Sequence, residues 1–135
     1  MRTTGDLLGK VELLGLGSSV KVARAYVRSV LYVAGRLDLD DVEILVSEVF
    51  TNAVRHSKSG RQPGGVVEVR VYDDGEMVRV EVTDEGSPSS TPAIPEQAGP
   101  FSESGRGLWL VRELSSSWGW SENAKGRTVW FTVRG

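Results

Sequence analysis

Apolar residues follow two different periods along this chain. In the middle, valines alternate: Val67, Val69 and Val71 face one way in a first run, and Val78, Val80 and Val82 do so in a second. Period-two alternation over such lengths reads as strands, and Asp73-Asp-Gly-Glu76 between the runs reads as a hairpin turn. The apolar face of this hairpin needs a helical layer to cover it. Two upstream segments supply one. After Ser18-Ser19, good N-cap residues, apolar side chains recur at Val20, Ala23, Val27, Val30, Leu31 and Ala34 until Gly35, the spacing of a helix. Lys21, Arg24 and Arg28 form a basic ridge on its other side, read as solvated.

The second helix is expected from near Asp41, where Asp40-Asp-Val-Glu43 has a form related to a capping box, to about Ser57. Val42, Leu45, Val46, Val49, Phe50, Ala53 and Val54 make one broad arc, and Glu48, Thr51, Asn52, Arg55 and His56 the other. Val11 to Leu16 reads as a short opening strand. Beyond the valine hairpin, Asp84 is followed by a Ser/Pro/Gly-rich stretch from Gly86 to Gly107, long enough to suggest a lid or a disordered loop. Leu108, Val111 and Leu114 then read as a short helix starting at Gly105-Arg-Gly107. Trp118 and Trp120, then Val129, Phe131 and Val133, read as a closing hairpin turning through Asn123-Ala-Lys-Gly126. No internal repeat and no linker divides residues 1–135, so a single domain is expected.

Composition narrows the function classes. With 39% hydrophobic and 25% charged residues and no long apolar run, the chain reads as soluble, with no membrane span. Lys10 and Glu12 interrupt the apolar segment near the start, which argues against an export signal. No cysteine is present, which excludes disulfides and thiolate metal sites and fits a reducing cytoplasm. A net charge of −2 provides no general attraction for nucleic acid.

Local chemistry therefore has to identify the site. Gly105 and Gly107 at a helix start would expose backbone N–H groups to phosphate oxygens, though Gly-x-Gly alone is a weak signal. Asn52 carries an amide oxygen, a hard ligand suited to Mg2+, which takes few protein oxygens and completes its shell with phosphates and water. Glu48, one turn earlier, is a candidate general base. Asp84 could accept a hydrogen bond from an exocyclic amino group of a base, with Gly86 leaving room. Together these groups point to a nucleotide.

In this order the motifs resemble the GHKL ATPases: Glu48-x-x-x-Asn52 looks like the N box, Asp84-x-Gly86 and Gly105-Arg-Gly107 the two glycine boxes, and Gly126-Arg-Thr128 the final box. S-E-V-F-T-N-A-V-R-H-S, V-T-D-E-G, S-G-R-G-L-W-L-V and G-R-T-V-W-F-T-V more closely resemble the bacterial anti-sigma factor serine kinases, over about residues 10–134. The resemblance implies an α+β two-layer sandwich of the Bergerat type, a mixed, mainly antiparallel sheet covered on one face by helices. It implies Glu48 as catalytic base, Asn52 as Mg2+ ligand, and an ATP pocket of Asn52, Asp84, Gly86, Gly105, Arg106, Gly107, Leu108 and Thr128. It further implies a cytoplasmic homodimer that phosphorylates a small anti-sigma-factor antagonist and sequesters a sigma factor. A catalytically weak ATP-binding partner switch, or a regulatory ATPase of a larger signalling complex, stays open as an alternative. Two departures stand out: Asp84-Glu-Gly-Ser-Pro88 lacks the second glycine of the usual first box, and the second box is reduced to one Gly-x-Gly, which is compatible with the serine-kinase branch; His56 is read as packing or hydrogen bonding near the pocket rather than as a phosphate acceptor.

Overall fold

The computed structural model describes residues 5–56, 64–86, 105–124 and 126–134, with His56 and residues 105–108 described by backbone alone. In chain order the elements are β1 (Asp6–Leu14), α1 (Ser19–Val33), α2 (Asp40–His56), β2 (Val66–Asp74), β3 (Met77–Asp84), α3 (Gly105–Leu114), β4 (Ser117–Asn123) and β5 (Gly126–Arg134). The strands form one sheet in the order β1-β2-β3-β5-β4. Every pairing in it is antiparallel. The expected α+β sandwich is therefore present, with a sheet that is antiparallel throughout its described part.

Alternation decides what each strand contributes. Val67, Val69, Val71, Val78, Val80 and Val82 are all buried, as are Val129, Phe131 and Val133 of β5. Against them lie Ala23, Val27 and Leu31 of α1 and Val42, Leu45, Val46, Val49, Phe50 and Ala53 of α2. Each fully buried Val, Leu or Phe contributes about 1.5–3 kcal/mol of transfer free energy, so this seam holds the two layers together. The opposite face of the sheet is polar. There Arg70 pairs with Glu68 and Arg79 with Glu81, and the Arg79 guanidinium lies 4.2 Å from the Trp130 ring centroid.

The turns explain why particular residues are needed. Gly35, at φ +92°, ends α1, with its N–H donating to Tyr32 O (3.0 Å) and the Arg36 N–H to Leu31 O (2.9 Å). That pair of bonds is a Schellman motif, and the left-handed residue in it favours glycine. Arg36, just beyond, donates through Nη2 to Asp73 Oδ1 (2.8 Å) and to Gly75 O, tying the helix corner to the β2–β3 turn. That turn has two residues, Gly75-Glu76, closed by the pair Asp74↔Met77. Gly75 at φ +80° is the positive-φ residue a type II′ hairpin requires.

Local expectations fare differently. β1 is longer than the reading from Val11, and begins at Asp6 with a bulge between Leu7 and Gly9. Ser18 occupies the N-cap of α1 but makes no side-chain cap bond. Helix α2 starts at Asp40, and Glu43 does not close a capping box, because its carboxylate pairs with Arg28 of α1. Arg24 donates to Ser47 Oγ (3.2 Å). Two of the three basic residues expected to be solvated thus bind α1 to α2. No helix among the described residues is long and apolar enough to cross a membrane.

Candidate functional site

At the end of β3 remote from its hairpin, the apolar ladder changes character. On the helix-facing side, Val78↔Val133, Val80↔Phe131 and Val82↔Val129 are apolar rungs, and the next rung is Asp84↔Arg127. Both members are buried, with side chains 2% and 4% exposed, and Arg127 Nε stands 3.5 Å from Asp84 Oδ2. The Gly86 N–H donates to Asp84 Oδ1 (2.7 Å). Gly86 itself has φ +90°, the conformation that folds the chain back onto the carboxylate. Burial pushes the Asp84 carboxyl above the ordinary carboxylate range, against the pull of the Arg127 charge and the Gly86 N–H, while Glu122 of β4 adds to the rise.

Gly126 seals this end of the sheet. A Cβ there would lie 2.0 Å from the Asp84 carbonyl oxygen, so the β5 backbone approaches β3 as only glycine permits. The Asn123 side chain shapes the turn before it, accepting from the Gly126 N–H (3.2 Å).

Helix α2 packs on β3 and β5, and α3 packs on α2 and β4. In the last three turns of α2 stand Glu48, half-buried, and Asn52, 6% exposed. No hydrogen bond to the Asn52 carboxamide is found among the described residues. With no partner among the described residues, the carboxamide is available to an external one. Among the described residues no three His, Asp or Glu side chains converge on a metal position. The residues present fit a cation held by one amide oxygen together with phosphates and water, as Mg2+ commonly is. They do not fit a metal caged by protein alone.

Other expected site residues divide. Gly86 is part of the Asp84 turn. Gly105 opens α3 and Gly107 lies in its first turn, so the Gly-x-Gly stands at a helix N-terminus as the spacing suggested. The side chains of Arg106 and Leu108 lie outside the described residues, as does that of His56, the last residue of α2. The second part of the first glycine box, with Pro88, also lies outside them. Thr128 is on the polar face of the sheet, its Oγ1 2.8 Å from Thr83 Oγ1. It is therefore not brought together with Asp84. The residue that is, Arg127, was missed by reading motifs, although its phase with Val129, Phe131 and Val133 assigns it to the helix face. A shallow depression of about 570 Å3 lined by Arg36, Leu37, Asp73 and Gly75 lies at the other end of β3, away from these groups.

The arrangement offers a buried acceptor carboxylate, a glycine turn beside it, a carboxylate and an amide on the covering helix, and a glycine-led helix start. Comparison with known proteins agrees with this chemistry. A family profile described as "Histidine kinase-like ATPase domain" matches residues 16–133. The chain is 27% identical over 127 residues to the serine-protein kinase RsbW of Staphylococcus epidermidis, covering 84% of this chain and 78% of that protein. It is 30% identical over 86 residues to the serine-protein kinase RsbW of Listeria innocua, covering 56% of this chain but spanning only 54% of that relative. The fold resembles a crystal structure of the RsbU and RsbW domains of a Mycobacterium tuberculosis protein, with a TM-score of 0.62 and 24% identity over 93% of this chain and 32% of that one. The profile match takes in α1, α2, the Asp84 turn, the glycines of α3 and the closing hairpin, and the chain belongs to the histidine kinase-like ATPase domain family.

Proposed function

We propose that the chain is an ATP-dependent protein serine/threonine kinase that phosphorylates a small anti-sigma-factor antagonist and, while that antagonist is phosphorylated, holds a sigma factor. The observation that carries this reading is the buried Asp84 turn at the end of β3 remote from its hairpin, on the sheet packed by the helix that bears Glu48 and Asn52, in a chain of this family. Similarity to proteins named serine-protein kinase RsbW supports the acceptor class.

In this reading Asp84 accepts the adenine amino group and Gly86 leaves space for the ring. The N-terminal amides of α3 face the phosphates, where the helix dipole favours negative charge. Asn52 supplies its amide oxygen to Mg2+, which would neutralise charge developing on the transferred phosphoryl group. Glu48 takes the proton of the acceptor serine hydroxyl. The serine oxygen forms a bond to the γ-phosphorus as the bond from that phosphorus to the β–γ bridging oxygen breaks, and ADP leaves with the electron pair. A homodimer built through β1 and α1 is part of the same proposal.

The test is incubation of the purified chain with labelled Mg-ATP and candidate small antagonist proteins, wild type beside Glu48→Ala. Label on an antagonist serine, lost in the variant, is the expected result. Tight ATP binding with no labelled partner, and unchanged partner control by Glu48→Ala, would replace the kinase with an ATP-ordered binding module.

A further inference from the structure

The Asp84↔Arg127 rung is not accounted for by packing. The three preceding rungs on that face pair valine with valine or phenylalanine, and a fourth apolar pair would continue the core. A buried ion pair is often no more stabilising than an apolar pair of similar volume. The pair stands at the end of β3 remote from its hairpin, in the part of the fold where α2 packs on β3 and β5. One oxygen of the carboxylate, Oδ1, is committed to the Gly86 N–H, and Arg127 lies on the side of Oδ2. A carboxylate has about four lone-pair sites, so both contacts leave acceptor capacity for a ligand.

We infer that Arg127 is a specificity-determining residue of the pocket: fixed beside Asp84, it keeps that side chain in its acceptor-only form, so that a base with an amino group is taken and a 6-oxo base is refused. The inference rests on the nucleotide reading of the site. Its chemistry follows from the donor inventory. An ionised carboxyl only accepts, and adenine offers N–H at the 6-position where hypoxanthine offers a carbonyl oxygen. A protonated Asp84 would instead carry an O–H able to donate to that carbonyl, and discrimination would be lost. Burial favours the protonated form. Among the described residues the charges acting on Asp84 are Arg127 of β5, which opposes protonation, and Glu122 of β4, which favours it. Among the described residues Arg127 is thus the cation that acts on Asp84.

The experiment compares wild type with Arg127→Met and Arg127→Lys in the full chain. In unliganded protein, the Asp84 carboxyl is titrated by carbon-13 NMR. Binding of ATP and of ITP, each with Mg2+, is measured by calorimetry at one pH just above the wild-type Asp84 midpoint that the NMR titration gives and at one well above it. Arg127→Met is expected to move the Asp84 titration upward and to reduce the ATP-over-ITP preference at the lower pH by about tenfold or more, one unit of titration shift being a factor of ten. Arg127→Lys keeps the charge and guards against loss of folding; its titration is expected between those of wild type and Arg127→Met. Wild-type titration and wild-type ATP-over-ITP ratios at both pH values in these variants would overturn the inference while leaving nucleotide binding intact. If wild type binds neither ATP nor ITP, the nucleotide reading fails, and base selection by Arg127 falls with it, even where the titration responds to the substitutions.

Discussion

Replacing Gly126 with alanine tests the closure of the site directly. Gly126 has no positive φ, so the backbone conformation itself accepts any residue. The demand for glycine comes from contact alone: the new Cβ would stand 2.0 Å from the Asp84 carbonyl oxygen, whereas a carbon and an oxygen in contact keep about 3.3 Å. Relief therefore needs more than about 1 Å of local separation between strands that are normally about 4.8 Å apart. The rungs Asp84↔Arg127 and Thr83↔Thr128 lie at this end and would loosen first. Losing about two ladder bonds at roughly 0.5–1.5 kcal/mol each, and disturbing a buried ion pair, puts the destabilisation at about 2–4 kcal/mol. Urea unfolding followed by tryptophan fluorescence measures it. The control is Gly17→Ala, where an added Cβ meets nothing within 4 Å and the φ is ordinary. That change is expected to be neutral or to stabilise by about 0.4–1 kcal/mol through the unfolded chain. If Gly126→Ala unfolds within about 0.5 kcal/mol of wild type, the close approach of β5 to β3 does not hold this end of the sheet together.

Three further outcomes follow from named contacts. Phe50→Ala, at a fully buried position between helix and sheet, is expected to cost about 3–5 kcal/mol by denaturant titration. Asn52→Ala is expected to weaken Mg-ATP binding at least about tenfold in calorimetry, while unfolding shifts by no more than about 1 kcal/mol, because the carboxamide makes no fold-holding bond among the described residues. Arg36→Ala is expected to cost about 1 kcal/mol at neutral pH, since it removes a part-exposed ion pair with Asp73 and a bond to Gly75 O. The pH signature is specific: the Gly75 N–H, and then Arg36, hold the Asp73 carboxyl below its ordinary value of 3.8, so the stabilisation is present above that value and is lost as pH falls through the lowered folded value. The gap between wild type and Arg36→Ala should therefore narrow in acid.

Much of the fold could be read from the sequence because its apolar residues keep strict phase. The valines of β2 and β3 alternate without interruption, and α2 presents an unbroken arc, so layer, hairpin and helix follow from periodicity alone. Less legible were features decided by tertiary contact. An imperfect alternation, with a bulge between Leu7 and Gly9, hid the start of β1, whose strand character comes from pairing with β2. Arg24, Arg28 and Glu43 look like surface charges in sequence, and only the packing of α1 on α2 brings them to partners. In the candidate site, Asp84, Gly86, Gly105 and Gly107 were singled out by motif spacing. Arg127 was not, because Gly126-Arg-Thr128 drew attention to the hydroxyl rather than to the strand phase. A shift of one residue along a strand changes the face, and that separates Thr128, beside Thr83, from Arg127, beside Asp84.

The Asp84 and Asp73 carboxyls are shifted in opposite directions, which bears on the proposed role of Asp84. An acid serving the fold has its carboxyl lowered, as Asp73 does, and adds stability once it is ionised. Asp84 is shifted the other way. Its folded state binds the proton more readily than the unfolded chain does, so stability falls as pH rises from the ordinary value of 3.8 to the raised folded value, and the full cost applies above it. Core packing alone would remove such a group or leave it neutral. The chain instead sets a cation against it on the neighbouring strand and donates a backbone N–H to it, two contacts that each favour the charged form. Burial opposed by arranged partners, at the end of a strand beside a glycine turn, is the arrangement expected where a charge must be kept for something that binds.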